Sequence, residues 1–94
     1  MSKKTTGTPS ELINQLRREI DTIDEQILDL INRRIEKARG IGQVKKANGL
    51  PVFVPEREEF IFNRLKELNK GPINNNALAA IFQCIIEETR RFEE

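Results

Sequence analysis

The sequence predicts an all-α fold: a three-helix protomer led by one very long N-terminal helix and completed by a second copy as a helical homodimer. Three features of the chain lead there. Apolar residues recur at steps of three and four over a long opening stretch. Stop and start signals divide the remainder into two shorter helices. The first helix is also too long for a 94-residue domain to cover by itself.

Residues 1–7 are polar and read as a disordered tail, which sets the boundaries at 1–8 for the tail and 9–94 for the helical domain. Thr8 caps the first helix, Pro9 suits its first position and Glu11 completes a capping box. Leu12, Leu16, Ile20, Ile23, Ile27, Leu30, Arg34, Ala38, Ile41 and Lys45 then form one helical stripe, which stops near Asn48-Gly49. Gly40 and Gly42 interrupt this helix, each weakening it by roughly 1 kcal/mol against Ala; they permit close backbone packing or a bend. Residues 50–54 make a connector. Pro55 opens the second helix, with Glu56, Glu58 and Glu59 in a first turn whose dipole favours carboxylates. Phe60, Ile61, Leu65 and Leu68 are its apolar face, and Asn69-Lys70-Gly71-Pro72 ends it. Asn74 or Asn75 caps a third helix with Leu78, Ile81, Phe82, Ile85, Ile86 and Thr89 facing inward.

The first helix decides the oligomer. About 38 residues at ~1.5 Å each make roughly 57 Å. A compact monomer of this size has a radius of gyration of about 12 Å, hence a diameter on the order of 30 Å. The helix would leave its apolar stripe in water, and a second copy of the chain is the simplest closed cover.

Composition removes several classes of function. A net charge of +1 lacks the basic excess that a nucleic-acid surface needs. No apolar run approaches the length of a membrane span, and the polar start has no apolar secretory segment, so a cytoplasmic protein without membrane association is expected. The chain has no His and one Cys, which excludes an internal disulfide, a cysteine-rich zinc site and Ser-His or Cys-His nucleophiles. Cys84 is expected to be a packed thiol near the core, without a function.

Polar residues interrupt the apolar stripe. Arg34 follows Leu30 and Lys45 follows Ile41, each by four residues. Eleven residues separate the two cations, nearly three whole turns, so both point to one side about 16 Å apart. Together they can grip one small anion, either a ligand or an internal carboxylate such as Glu58. Arg17 lies about 25 Å from Arg34 along the helix and about 100° around it. It can serve the same ligand only across a dimer interface. Arg57 and Glu58 occupy a first turn whose N–H groups favour anions, and Thr89 and Glu93 extend the stripe of the third helix. Taken singly, each residue also fits an ordinary role: an interface ion pair or snorkelling stem for Arg34, surface charges for Arg17 and Lys45, first-turn residues for Arg57 and Glu58, a fraying end for Thr89 and Glu93. Pattern alone therefore reaches a dimeric helical protein with a candidate anion site.

The segments together resemble the AroQ class of chorismate mutases. Leu16-Arg17-Arg18-Glu19-Ile20-Asp21-Thr22-Ile23-Asp24 is similar to that family's opening motif. Leu30-Ile31-Asn32-Arg33-Arg34, Ile41-Gly42-Gln43-Val44-Lys45, Pro55-Glu56-Arg57-Glu58 and Phe82-Gln83-Cys84-Ile85-Ile86-Glu87-Glu88-Thr89 follow in the family's order and spacing. The similarity runs from about Glu11 to Glu93. It implies an entwined dimer that isomerises chorismate to prephenate with no cofactor and no metal. By resemblance, Arg17 from the partner subunit and Arg34 bind the two carboxylates, and Arg57 positions the substrate. Lys45 reaches a carboxylate and the breaking ether oxygen. Glu58 accepts from the ring hydroxyl, and Thr89 adds a carboxylate contact. Val54 departs from the pattern, standing where many relatives carry Asp. Glu93 stands where Gln or Glu bonds the ether oxygen. A glutamate donates only when protonated, so that role implies activity declining as pH rises.

Two rivals remain at this level. An isochorismate-pyruvate lyase shares the fold and the cationic pocket; Val54 suits it, whereas Glu58 does not. A weakly active regulatory module, docking on a shikimate-pathway enzyme such as DAHP synthase, is the other. The complete set of Arg17, Arg34, Lys45, Arg57 and Glu58 argues against a dead pocket.

Overall fold

A computed structural model describes residues 7–94. It contains α1 (Pro9–Asn48), α2 (Pro55–Leu68) and α3 (Asn75–Arg90), followed by a 3-10 turn, Arg91–Glu93. The all-α, three-helix expectation holds, with no strand among the described residues. The tail expected over residues 1–8 lies mostly outside the described residues.

Local chemistry explains the helix ends. The Thr8 N–H donates to Glu11 Oε1 at 2.8 Å and the Glu11 N–H donates to Thr8 Oγ1 at 3.1 Å, a reciprocal capping box. The Thr8 backbone N–H first, and then the Thr8 side chain, hold the Glu11 carboxyl below its ordinary range. At the other end Gly49 takes φ +65°, and the Leu50 N–H reaches the Lys45 carbonyl at 2.9 Å. This is a Schellman closure, which needs a left-handed residue at that point. Helix α2 starts from Val54 in extended conformation with no side-chain cap. Of the two candidate caps for α3, Asn74 takes the role, accepting from the Ala77 N–H at 2.8 Å. Asn69 braces the turn before it, donating to the Ile73 carbonyl and accepting from the Gly71 N–H.

Contacts divide the chain into two units, Met1–Asn32 and Arg33–Glu94. In the first, every described residue except Ile31 is exposed. Its apolar stripe, Leu12, Leu16, Ile20, Ile23, Ile27 and Leu30, is 47–58% exposed. The second unit has a small core of Ala38, Gly42, Ile86 and Thr89. Gly42 is where close packing is required. A Cβ there would sit 2.5 Å from the Glu93 carbonyl oxygen and 2.7 Å from its Cα, whereas one at Gly40 would meet nothing within 4 Å.

Three expectations for α3 need correction. Cys84 is exposed, not packed near the core; it lies about 200° around the helix from both Phe82 and Ile86, which turns it away from the buried side. Ile81 is 51% exposed rather than inward-facing. The helix also gives way to the 3-10 turn after Arg90, so Glu93 reaches its position from that turn rather than from a continued α-helical stripe.

Candidate active site

Four segments of the second unit line an open cavity of about 410 Å³: the last turns of α1, the connector, the first turns of α2, and the end of α3 with its 3-10 turn. Arg34, Lys37, Lys45, Arg57 and Arg90 supply cations, and Glu58 and Glu93 supply carboxylates. Apolar walls come from Ala38 and Ile41 on α1, Val52 and Val54 in the connector, Ile61 on α2 and Ile86 on α3. A pocket of this size, with apolar walls and convergent charged groups, suits a small charged molecule.

Each polar residue is held for a physical reason. Lys45 Nζ donates to Glu93 Oε1 at 2.6 Å and to the Val52 carbonyl at 2.8 Å, with both charged side chains 16% exposed. The internal carboxylate that meets Lys45 is therefore Glu93, not Glu58. Gly42 makes this possible: without a Cβ, α1 lets the Glu93 backbone approach one turn before Lys45. Arg34 Nη1 donates to Thr89 Oγ1, and the Thr89 hydroxyl donates to the Ile85 carbonyl at 2.7 Å. Thr89 is 2% exposed, the most enclosed side chain described, so its reading as a frayed end is corrected. Burial, and then the neighbouring Arg57 cation, push the Arg34 guanidinium below its ordinary range, while Glu93 opposes them.

Glu58 is bound by Arg90 Nη1 through its Oε2. Both carboxylates of the cavity are thus engaged, by Lys45 and by Arg90. Among the described residues Arg34, Lys37 and Arg57 have no carboxylate in ion-pair contact. Five cations against two carboxylates leave a surplus of positive charge facing the cavity, which favours an anionic ligand with more than one charged group.

Six residues singled out from the sequence, Arg34, Lys45, Arg57, Glu58, Thr89 and Glu93, come together on this cavity. Arg17 does not. It is an exposed residue of the first unit and does not line the cavity. Lys37 and Arg90 were missed. Arg90 follows Ile86 by four residues, and that spacing on the inward face was the available signal.

A sequence model of chorismate mutase type II matches residues 16–94. The chain belongs to the chorismate mutase type II family. It is 34% identical over 85 residues to the chorismate mutase of Methanocaldococcus jannaschii, covering 89% of this chain and 86% of that one. It is 42% identical over 88 residues to the bifunctional chorismate mutase/prephenate dehydratase of Aquifex aeolicus, covering 89% of this chain and 24% of that protein. The chain spans about a quarter of the length of such bifunctional relatives. Among solved structures, the chorismate mutase of Helicobacter pylori in complex with prephenate superimposes with a TM-score of 0.82. That pair shares 30% identity over 88% of this chain and 90% of that one. Membership in the family fits the cavity, since chorismate and prephenate each carry two carboxylates.

Proposed function

We propose that the chain is a cytoplasmic chorismate mutase working as an entwined homodimer, with Arg17 of each subunit completing the cavity of the other. The observation that carries the reading is the excess of cations lining one cleft around Arg34, Lys45 and Arg57, within a family whose relatives are named for this reaction. The dimer is supported by the uncovered stripe of the first unit, six large apolar side chains each about half exposed. The bifunctional relatives join a chorismate mutase to a prephenate dehydratase, and an enzyme of the same pathway is the proposed partner.

The chemistry asks little of ionisable groups. In the Claisen rearrangement the ether C–O bond breaks as a new C–C bond forms, with no proton transfer and no nucleophile. Arg17 of the partner subunit and Arg34 would hold the two carboxylates bidentately and so select the folded conformer in which the reacting carbons meet. Negative charge grows on the ether oxygen, where Lys45 supplies a fixed donor. A carboxylate of the substrate would compete with Glu93 for Lys45 and bring the ammonium toward that oxygen. Glu93 holds the Lys45 ammonium at the cavity wall through its 2.6 Å bond, the position from which the substrate would draw it.

The deciding experiment follows chorismate loss with product identification, for wild type and Arg34→Ala. Prephenate formation by the wild type and a loss of at least about 100-fold in Arg34→Ala are expected, in line with removing one charged transition-state contact. Equal turnover in both would discard the site. Incubation with isochorismate tests the lyase alternative, which the cavity position of Glu58 disfavours.

A further inference from the structure

Arg90 has no role in the reading above, yet its side chain reaches from α3 to two other segments of the site. It is the last residue of α3, where the helix dipole favours a cation. Its Nη1 holds Glu58 Oε2, with side-chain exposures of 27% and 17%. Its guanidinium also lies 4.7 Å from the centre of the Phe53 ring in the connector, a cation–π distance. Arg90 is itself on the cavity wall.

The start of α2 gives this arrangement a purpose. Val54 offers the helix no side-chain cap and lines the cavity with an apolar group. The first turn of α2 is instead tied across to α3 through Glu58. A carboxylate has two acceptor oxygens. Among the described residues only Oε2 of Glu58 receives a hydrogen bond, which leaves Oε1 for a ligand. A guanidinium held by both a ring and a carboxylate is restricted in its own rotamers, so it fixes the carboxylate more firmly than a free lysine would.

We propose that Arg90, stacked on Phe53, is a positioning residue that orients the Glu58 carboxylate as the acceptor for a ring hydroxyl of the substrate. This rests on the mutase reading. Arg90 takes over the orienting task that the apolar side chain of Val54 cannot share.

The test is a double-mutant cycle in steady-state chorismate turnover, with Arg90→Met, Glu58→Gln and the double variant. Thermal unfolding is measured for all four proteins. Arg90→Met keeps the bulk against Phe53 and removes the pairing. It should lower kcat by about tenfold with a smaller change in KM, within the range of coupling between contacting residues. Arg90→Lys should recover part of the loss. In the Glu58→Gln background Arg90→Met should cost almost nothing further. An analogue methylated at the ring hydroxyl should be turned over equally by wild type and Arg90→Met. Additive losses in the cycle, or losses that follow only the melting temperature, overturn the assignment of Arg90 while leaving the mutase reading intact. A wild type that does not convert chorismate overturns the mutase reading and this assignment with it.

Discussion

Gly42 and Gly40 stand two residues apart on α1, and the structure predicts opposite outcomes when each is replaced by alanine. In a helix interior Gly→Ala gains about 1 kcal/mol from propensity alone. At Gly40 the new methyl meets nothing within 4 Å, so that gain should appear as added stability. At Gly42 the methyl would stand 2.5 Å from the Glu93 carbonyl oxygen, against 3.4 Å for ordinary contact, and the obstruction is backbone. The Arg91–Glu93 turn must then retreat by roughly an ångström, at the ~1–3 kcal/mol typical of overpacking. That retreat stretches the 2.6 Å bond from Lys45 to Glu93 beyond hydrogen-bond range. Gly42→Ala should therefore be neutral to destabilising by about 2 kcal/mol. It should also lose chorismate turnover by as much as about 100-fold, the penalty that an ångström of misplacement carries in a preorganised site. Urea unfolding and steady-state kinetics on the two variants read both effects. Equal stabilisation by both substitutions, with full activity at Gly42→Ala, would refute the claim that this glycine sets the spacing of α1 and the C-terminal turn.

Further outcomes follow from the same geometry. Arg17→Ala and Arg34→Ala should each be inactive alone. Refolded together in equal amounts they should regain about a quarter of wild-type turnover, because half the dimers are mixed and each mixed dimer has one intact site of two. No recovery on mixing would place Arg17 outside the partner's site. The capping box makes stability depend on pH at Glu11. Its carboxyl titrates below its ordinary range when folded, so the stabilisation is complete above that range and fades as pH falls through the folded value. The melting difference between wild type and Glu11→Gln should thus be present at neutral pH and vanish in acid; a difference independent of pH would show that the charge contributes nothing. Thr89→Val removes the hydroxyl that accepts from Arg34. It should cost about 1–3 kcal/mol of stability, since a part-buried charged donor loses its partner. A melting curve unchanged from wild type would mean that Arg34 finds another acceptor.

The resemblance of ordered motifs pointed to the family, and the same residues explain why the cavity is cationic. Arg34 and Lys45 were legible as a pair because eleven residues of helix fix their common side whatever surrounds them. Partner choice was not legible in that way. Lys45 meets Glu93 rather than Glu58, and Glu58 meets Arg90. Both pairs join residues more than 30 positions apart, on segments whose mutual placement no local period encodes. Thr89 looked like the end of a helix and is instead the most enclosed side chain described, because Arg34 arrives from α1 to cover it.

By itself the sequence determined most of the helix ends: Thr8 with Glu11, Pro55 and Gly49 act on the backbone within a few residues, whereas it left Asn74 and Asn75 open as caps for α3 and did not mark the end of α3 at Arg90. It also determined the amphipathic stripe of α1, since a 3.6-residue period is a property of the chain. Only the tertiary structure decided that Gly42 rather than Gly40 is the point of close approach, that Cys84 faces outward, and which carboxylate each cation of the cavity holds. Those outcomes depend on distances between helices of a few ångströms, and such distances are set by the packing of side chains far apart in sequence.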